Sequence, residues 1–130
     1  MAYQKKLTHE PRCPFEHALQ LFGGKWKARV LCLLHNLGTL RFSRISDEMN
    51  PISDGVLTGA LQELQDAGLV SRAVYGEVPP RVEYSLTEKG ESLIPLLRSI
   101  CLWAQANRSF EPESLLLPCR QCEYLSRHAP

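Results

Sequence analysis

The sequence predicts a mainly α fold with a small β-sheet (α+β), and three observations predict it. Between Arg41 and Gly68, two apolar stripes of helical period stand on either side of a proline break. From Leu69 to Leu86, two strand patterns are separated by a turn that carries Gly76 and Pro79-Pro80. Longer helical patterns flank this unit on both sides. A helix, a turn, a second helix and a β-hairpin, in that order, make a winged helix-turn-helix. That fold usually puts its second helix in the DNA major groove and its hairpin tip beside the minor groove.

Composition bounds the reading. The chain has 130 residues, which suits one domain, and at 44% apolar and 22% charged it belongs with ordinary globular proteins. No apolar run approaches the roughly 20 residues of a membrane helix. Met1 to Thr8 is polar and basic, unlike a signal peptide. The expected location is therefore cytoplasmic. In that compartment the five cysteines read as thiols, metal ligands or redox sensors rather than structural disulfides. Net charge is only +1, weak for a nucleic-acid binder. Its distribution is more telling. From His17 to Ser46 the charges are Lys25, Lys27, Arg29, Arg41 and Arg44; from Asp47 to Gly68 they are Asp47, Glu48, Asp54, Glu63 and Asp66.

In chain order, residues 1–12 read as a flexible N-terminal arm, 13–110 as the winged-helix domain and 111–130 as a Cys-containing tail. Cys13-Pro14 opens the folded part, with Pro14 suited to a first helical turn. Phe15, Ala18, Leu19 and Phe22 give that helix an apolar face, and Gly23-Gly24 breaks it. A second helix is expected from Lys25 to about His35. Its stripe of Trp26, Val30, Leu33, Leu34 and Leu37 is widened by Ala28, Leu31 and Cys32, which predicts the central helix of the core. Thr39-Leu40-Arg41 reads as a short strand pairing with the hairpin.

Phe42, Ile45 and Met49 mark the first helix of the motif, and Asn50-Pro51 stops it. Ser53 is the expected N-cap of the second. Val56, Leu57, Ala60, Leu61 and Leu64 form its apolar stripe, and Gly68 is its C′ residue. The strands are expected at Leu69–Tyr75 and Val82–Leu86. Thr87 caps a last helix, Glu88 to about Arg108. Leu93, Leu96, Leu97, Ile100 and Ala104 line one face of it, Trp103 borders that face, and Pro95 is expected to kink it. So apolar a helix predicts a dimer interface shared with the Cys13–Phe22 helix, as a palindromic operator demands.

These residues resemble the HxlR family of bacterial transcription regulators, a winged-helix group related to the MarR type. The carriers are Cys13-Pro14, Gly23-Gly24-Lys25-Trp26, Arg41-Phe42 and Leu61-x-x-Leu64-x-x-x-Gly68-Leu69-Val70. The wing adds Tyr75-Gly76-Glu77-Val78-Pro79-Pro80-Arg81-Val82-Glu83-Tyr84-Ser85-Leu86-Thr87-x-x-Gly90. The resemblance covers about Cys13 to Asn107. It implies a homodimer on a pseudo-palindromic double-stranded DNA site, often a repressor or activator answering to reactive electrophiles or oxidants. The reading helix departs from the pattern. Similar proteins usually carry Lys or Arg early in it, whereas here the outward positions are Ser53, Asp54, Gly55, Thr58, Gly59 and Gln62.

Ser53, Thr58 and Gln62 are the candidates for base edges. Asp54 would repel phosphates unless the helix dipole holds it. Affinity would rest on phosphate contacts from Arg41, Arg44, Arg72, Arg81 and the basic second helix. Arg81 reads either as a minor-groove contact or as a partner for Glu77 or Glu83. Lys25 and Lys27 read either as phosphate contacts or as structural neighbours of Trp26, itself a core residue.

Cys13 stands before a helix N-terminus, where the dipole favours a thiolate. The resemblance points the same way, because the matching cysteine is a redox or electrophile switch in some members. Cys32 and Cys101 fall on apolar helix faces and read as core. Cys119 and Cys122 form a CxxC that reads as part of a zinc site with His128, as a redox dithiol, or as nothing special. Three ligands fall short of a closed site.

No catalytic constellation stands out and no cofactor is expected. The leading expectation is a homodimeric DNA-binding regulator switched through Cys13 or by a small ligand at the dimer interface. The alternative is a winged-helix protein-interaction module that has lost DNA binding, motivated by the acidic stretch from Asp47 to Asp66.

Overall fold

In the computed structural model, residues 10–108, 111 and 119 are described. Five helices and three strands follow in the order α1 (Pro14–Phe22), α2 (Lys27–Leu37), β1 (Leu40–Arg41), α3 (Phe42–Glu48), α4 (Asp54–Asp66), β2 (Val70–Tyr75), β3 (Arg81–Leu86) and α5 (Glu88–Asn107). The strands form one antiparallel sheet in the order β1-β3-β2. This is the winged helix-turn-helix arrangement the sequence predicts. No helix among the described residues is long and apolar enough to cross a membrane.

Helix α2 is the centre of the core. Val30, Leu31, Leu33 and Leu34 are buried on it, and it packs against α3, α4, α5 and β3. It begins two residues later than expected, because Gly24 turns the chain at φ +96° and Trp26 becomes the N-cap. Trp26 is only partly buried, with its ring covered by Lys25 and Arg29 at 4.9 and 5.0 Å.

The helix ends show why these segments begin and stop where they do. At α4, the Ser53 hydroxyl accepts from the Val56 N–H at 3.2 Å. At its far end Gly68 lies at φ +78°; its N–H bonds the Gln65 carbonyl, and the Leu69 N–H bonds that of Leu64. That pair of bonds is a Schellman ending. Thr87 then joins two helix ends. Its hydroxyl donates to the Gly68 carbonyl at 2.6 Å and accepts from the Gly90 N–H at 3.0 Å. Lys89 adds a bond to the Ala67 carbonyl at 2.8 Å, so the last turn of α4 meets a cation as its dipole favours.

Three expectations are corrected. Val56 is exposed, because the buried stripe of α4 is Leu57, Ala60, Leu61 and Leu64 and one step of about 100° carries Val56 off it. On α5 the inward residues are Gly90, Ile94 and Leu97, while Leu96, Ile100 and Trp103 face outward. Cys101 is exposed rather than core; Cys32 is half-buried against the core. Pro95 lies within α5, which runs on to Asn107.

Candidate nucleic-acid interface

Helix α4, the second helix of the helix-turn-helix, presents a small polar face. Leu57, Leu61 and Leu64 take the inner side of α4, so Ser53, Asp54, Gly55, Thr58, Gly59 and Gln62 are left exposed. Gly55 and Gly59 lie one turn apart, and a Cβ built at either meets nothing within 4 Å. Neither glycine is required by the fold. Gln62 is braced by its Nε2 donating to Asp66 Oδ1 at 2.9 Å. Asp54 is the first residue of α4, where the dipole favours an acid, and it accepts from the Ser46 hydroxyl at 3.4 Å. Ser53 carries the cap, so Asp54 does not.

The candidate cations differ in what already holds them. Arg41 and Arg72 are exposed and, among the described residues, engage no carboxylate. Arg44 is bonded to Glu48 one turn on at 2.9 Å. Lys25 is exposed beside Trp26. Lys27 is held by its own bonds: its Nζ lies 3.0 Å from the Gln20 carbonyl and 3.1 Å from Glu63 Oε1. Sequence alone paired Lys27 with Lys25 and missed this difference, since Glu63 lies on another helix.

Arg81 has both of the carboxylate partners foreseen for it. Its guanidinium lies 3.1 Å from Glu77 and 3.5 Å from Glu83, and sits over the Tyr75 ring. Register pairs Arg41 with Glu83, Ala73 with Glu83 and Tyr75 with Arg81. Side chains alternate along a strand, so Arg41, Tyr75, Arg81 and Glu83 share one face of the sheet. Arg41 and Arg81 therefore lie on the same face, and of the two only Arg81 is ion-paired with Glu83 among the described residues. Val78, at the hairpin turn, is fully exposed and was not singled out in sequence.

Away from this surface, Cys13 is exposed as the N-cap of α1. His35, incidental in sequence, bridges α2 to α5. Its Nδ1 lies 2.9 Å from Glu91, and Arg98 Nη2 lies 2.8 Å from its Nε2. The ring is thus held at both nitrogens, by Glu91 on one side and Arg98 on the other. Nothing in the spacing signals that bridge. Among the described residues no group of three or more His, Cys, Asp or Glu could hold a metal ion. Cys119 is half-buried; Cys122 and His128 lie outside the described residues.

Comparison with known proteins bears on the fold and the family. A family model described as HxlR-like helix-turn-helix matches residues 21–112. The chain is 49% identical over 102 residues to an uncharacterised HTH-type transcriptional regulator of Methanothermobacter thermautotrophicus, covering 78% of this chain and 77% of that one. Among solved structures it is similar to the redox regulator HypR in its oxidised form, at 40% identity and a TM-score of 0.67 over 75% of this chain and 100% of that one. It is likewise similar to the reduced form of the transcriptional regulator YodB from Bacillus subtilis. There the identity is 34% and the TM-score 0.64, over 72% of this chain and 92% of that one. The relatives are named as transcriptional regulators, not enzymes.

Proposed function

Because this chain belongs to the HxlR-like helix-turn-helix family of transcriptional regulators, we propose that it works as a homodimer on a pseudo-palindromic DNA site and answers to oxidants or electrophiles. In this reading α4 enters the major groove, with Ser53, Thr58 and Gln62 toward base edges. Lys25, Arg41, Arg44, Arg72 and Arg81 meet phosphates or the minor groove. The observation that carries the reading is the outward face of α4, which is small, polar and open at Gly55 and Gly59. A helix this narrow on its free side suits close approach to a groove floor.

Dimerisation is supported by apolar side chains left exposed on the two terminal helices. Phe15 is 67% exposed and Leu19 stands one turn on in α1; Leu96, Ile100 and Trp103 do the same on α5. Oxidant sensing is supported by exposed Cys13 beside that α1 face and by the similarity to the redox regulator HypR. A small ligand at the dimer interface is the other route to the same change.

The interaction-module alternative draws on the acids of α3 and α4. Four of them already have partners within the chain: Glu48 in Arg44, Asp54 in Ser46, Glu63 in Lys27 and Asp66 in Gln62. That leaves a weaker motive for a lost DNA reader. The deciding experiment is a DNA mobility shift on the protein's own upstream region and on a random-sequence library, with reduced and diamide-oxidised protein. A shift that changes on oxidation supports both parts of the reading. A redox-independent shift keeps the regulator and removes the thiol switch. No shift in either state favours the interaction module.

A further inference from the structure

We propose that Lys27 is a positioning residue that couples α1 to α4. The coupling stands on geometry; its regulatory consequence rests on the reading of α4 as the DNA-contacting helix.

Helix α1 is lightly fastened to the domain. Phe22 is its one buried side chain, with Ala18 and Leu21 partly buried against the core. Its last turn exposes carbonyls with no partner inside the helix. The Gly23 N–H takes that of Leu19, at 2.7 Å. The Gln20 carbonyl is taken by Lys27 Nζ, at 3.0 Å. The same ammonium reaches Glu63 on α4 at 3.1 Å. One charged group therefore holds the end of α1 and the side of α4 together.

Two features mark this as a built joint. Lys27 is only 15% exposed, although a lysine on a surface helix ordinarily extends into water. It also stands in the first turn of α2, where the helix dipole disfavours a cation, and α2 has no acid there to offset it. Glu63 supplies the missing negative charge from another helix. On α4, Glu63 follows Gln62 directly and lies one turn after Gly59, on the edge of the outward face. A shift of the α1 end moves the Lys27 ammonium and with it the flank of α4. The exposed Phe15 and Leu19 face lies on α1 and Cys13 is its N-cap, so docking or chemistry there has a route to the reading helix. Coupling of this kind is reciprocal: a ligand on α4 must equally affect α1.

The test is hydrogen exchange on the full chain, comparing wild type with Lys27→Met, Lys27→Arg and Glu63→Gln. Lys27→Met and Glu63→Gln are each expected to speed exchange at Leu21, Phe22 and Gly23 about tenfold, as a local opening would. Amides of Leu31–Leu34 and Leu61–Leu64 should keep their wild-type rates, and Lys27→Arg should restore α1. Unchanged α1 exchange in Glu63→Gln overturns the proposal, as does a rise spread evenly through α2 and α4. In a second arm, a duplex selected from a random-sequence library is added. It should slow α1 exchange in wild type and fail to do so in Lys27→Met that still binds it. Equal slowing in both overturns the coupling. Failure to bind any duplex counts against the DNA-binding function instead, and the duplex-free comparison then decides the joint by itself.

Discussion

The Arg81 guanidinium stacks on the Tyr75 ring, 4.0 Å from its centroid, across the first pair of the β2–β3 hairpin. Glu77 and Glu83 hold the same group from two sides. The charge at the wing is therefore aimed rather than free. Arg81→Ala is expected to weaken duplex binding and to lower the slope of log K against log salt by about 1, the value of one phosphate contact. Binding measured from low to moderate salt checks this. An unchanged slope would remove Arg81 from the contacts and leave it as a brace of the hairpin.

Ser53 and Thr58 stand on the same helix with different duties. Ser53 caps α4, so Ser53→Ala should destabilise the domain by about 1 kcal/mol. Thr58 is exposed and free of such a duty, so Thr58→Ala should stay within about 0.5 kcal/mol while weakening duplex binding. Urea unfolding separates the two. A Thr58→Ala loss as large as that of Ser53→Ala would mean that the outward face of α4 is not the one described.

Gly59 and Gly90 both lie inside helices, yet alanine should act on them with opposite sign. A Cβ at Gly59 meets open space, so Gly59→Ala should stabilise the protein by about 0.5–1 kcal/mol. A Cβ at Gly90 would strike the Leu69 carbonyl oxygen where α5 lies against the chain, so Gly90→Ala should cost about 1–3 kcal/mol. Thermal melting of the two variants gives both signs. If close approach to DNA is the reason for Gly59, its stabilised variant will bind duplex more weakly than wild type.

Trp103 is 70% exposed and shares the outward face of α5 with Leu96 and Ile100. A glutamate there would bury a charge in any interface that covers this face. Trp103→Glu is expected to shift the protein from dimer to monomer in sedimentation velocity at micromolar concentration, with the circular dichroism of the folded domain retained. A variant that sediments as wild type would place the subunit contact elsewhere.

Much of the fold was legible before any coordinates, because its signals are local. Ser53, Thr87 and Gly68 act through bonds spanning a few residues, so their identity alone announces a helix end. The helix-turn-helix and hairpin follow from periods of 3.6 and 2 that each segment carries in itself. The short β1 strand was read as a partner for the hairpin, and it pairs with β3. Periodicity was less decisive about facing. It did not separate Val56 from the stripe of Leu57, nor give Ile94 rather than Leu96 the inward place on α5. A helical period defines a stripe, and packing decides which sector of it meets the core.

By itself, then, the amino-acid sequence determined the order of elements, their caps and breaks, and the place of the helix-turn-helix within them. Each of these is set by backbone preferences and side-chain bonds within one or two turns. Only the tertiary structure decided which charges are spent. It bound Lys27 to Glu63 and placed His35 between Glu91 and Arg98, partners 56 and 63 residues away. An ion pair across helices depends on where folding brings two side chains within about 4 Å, and no spacing along the chain encodes that distance.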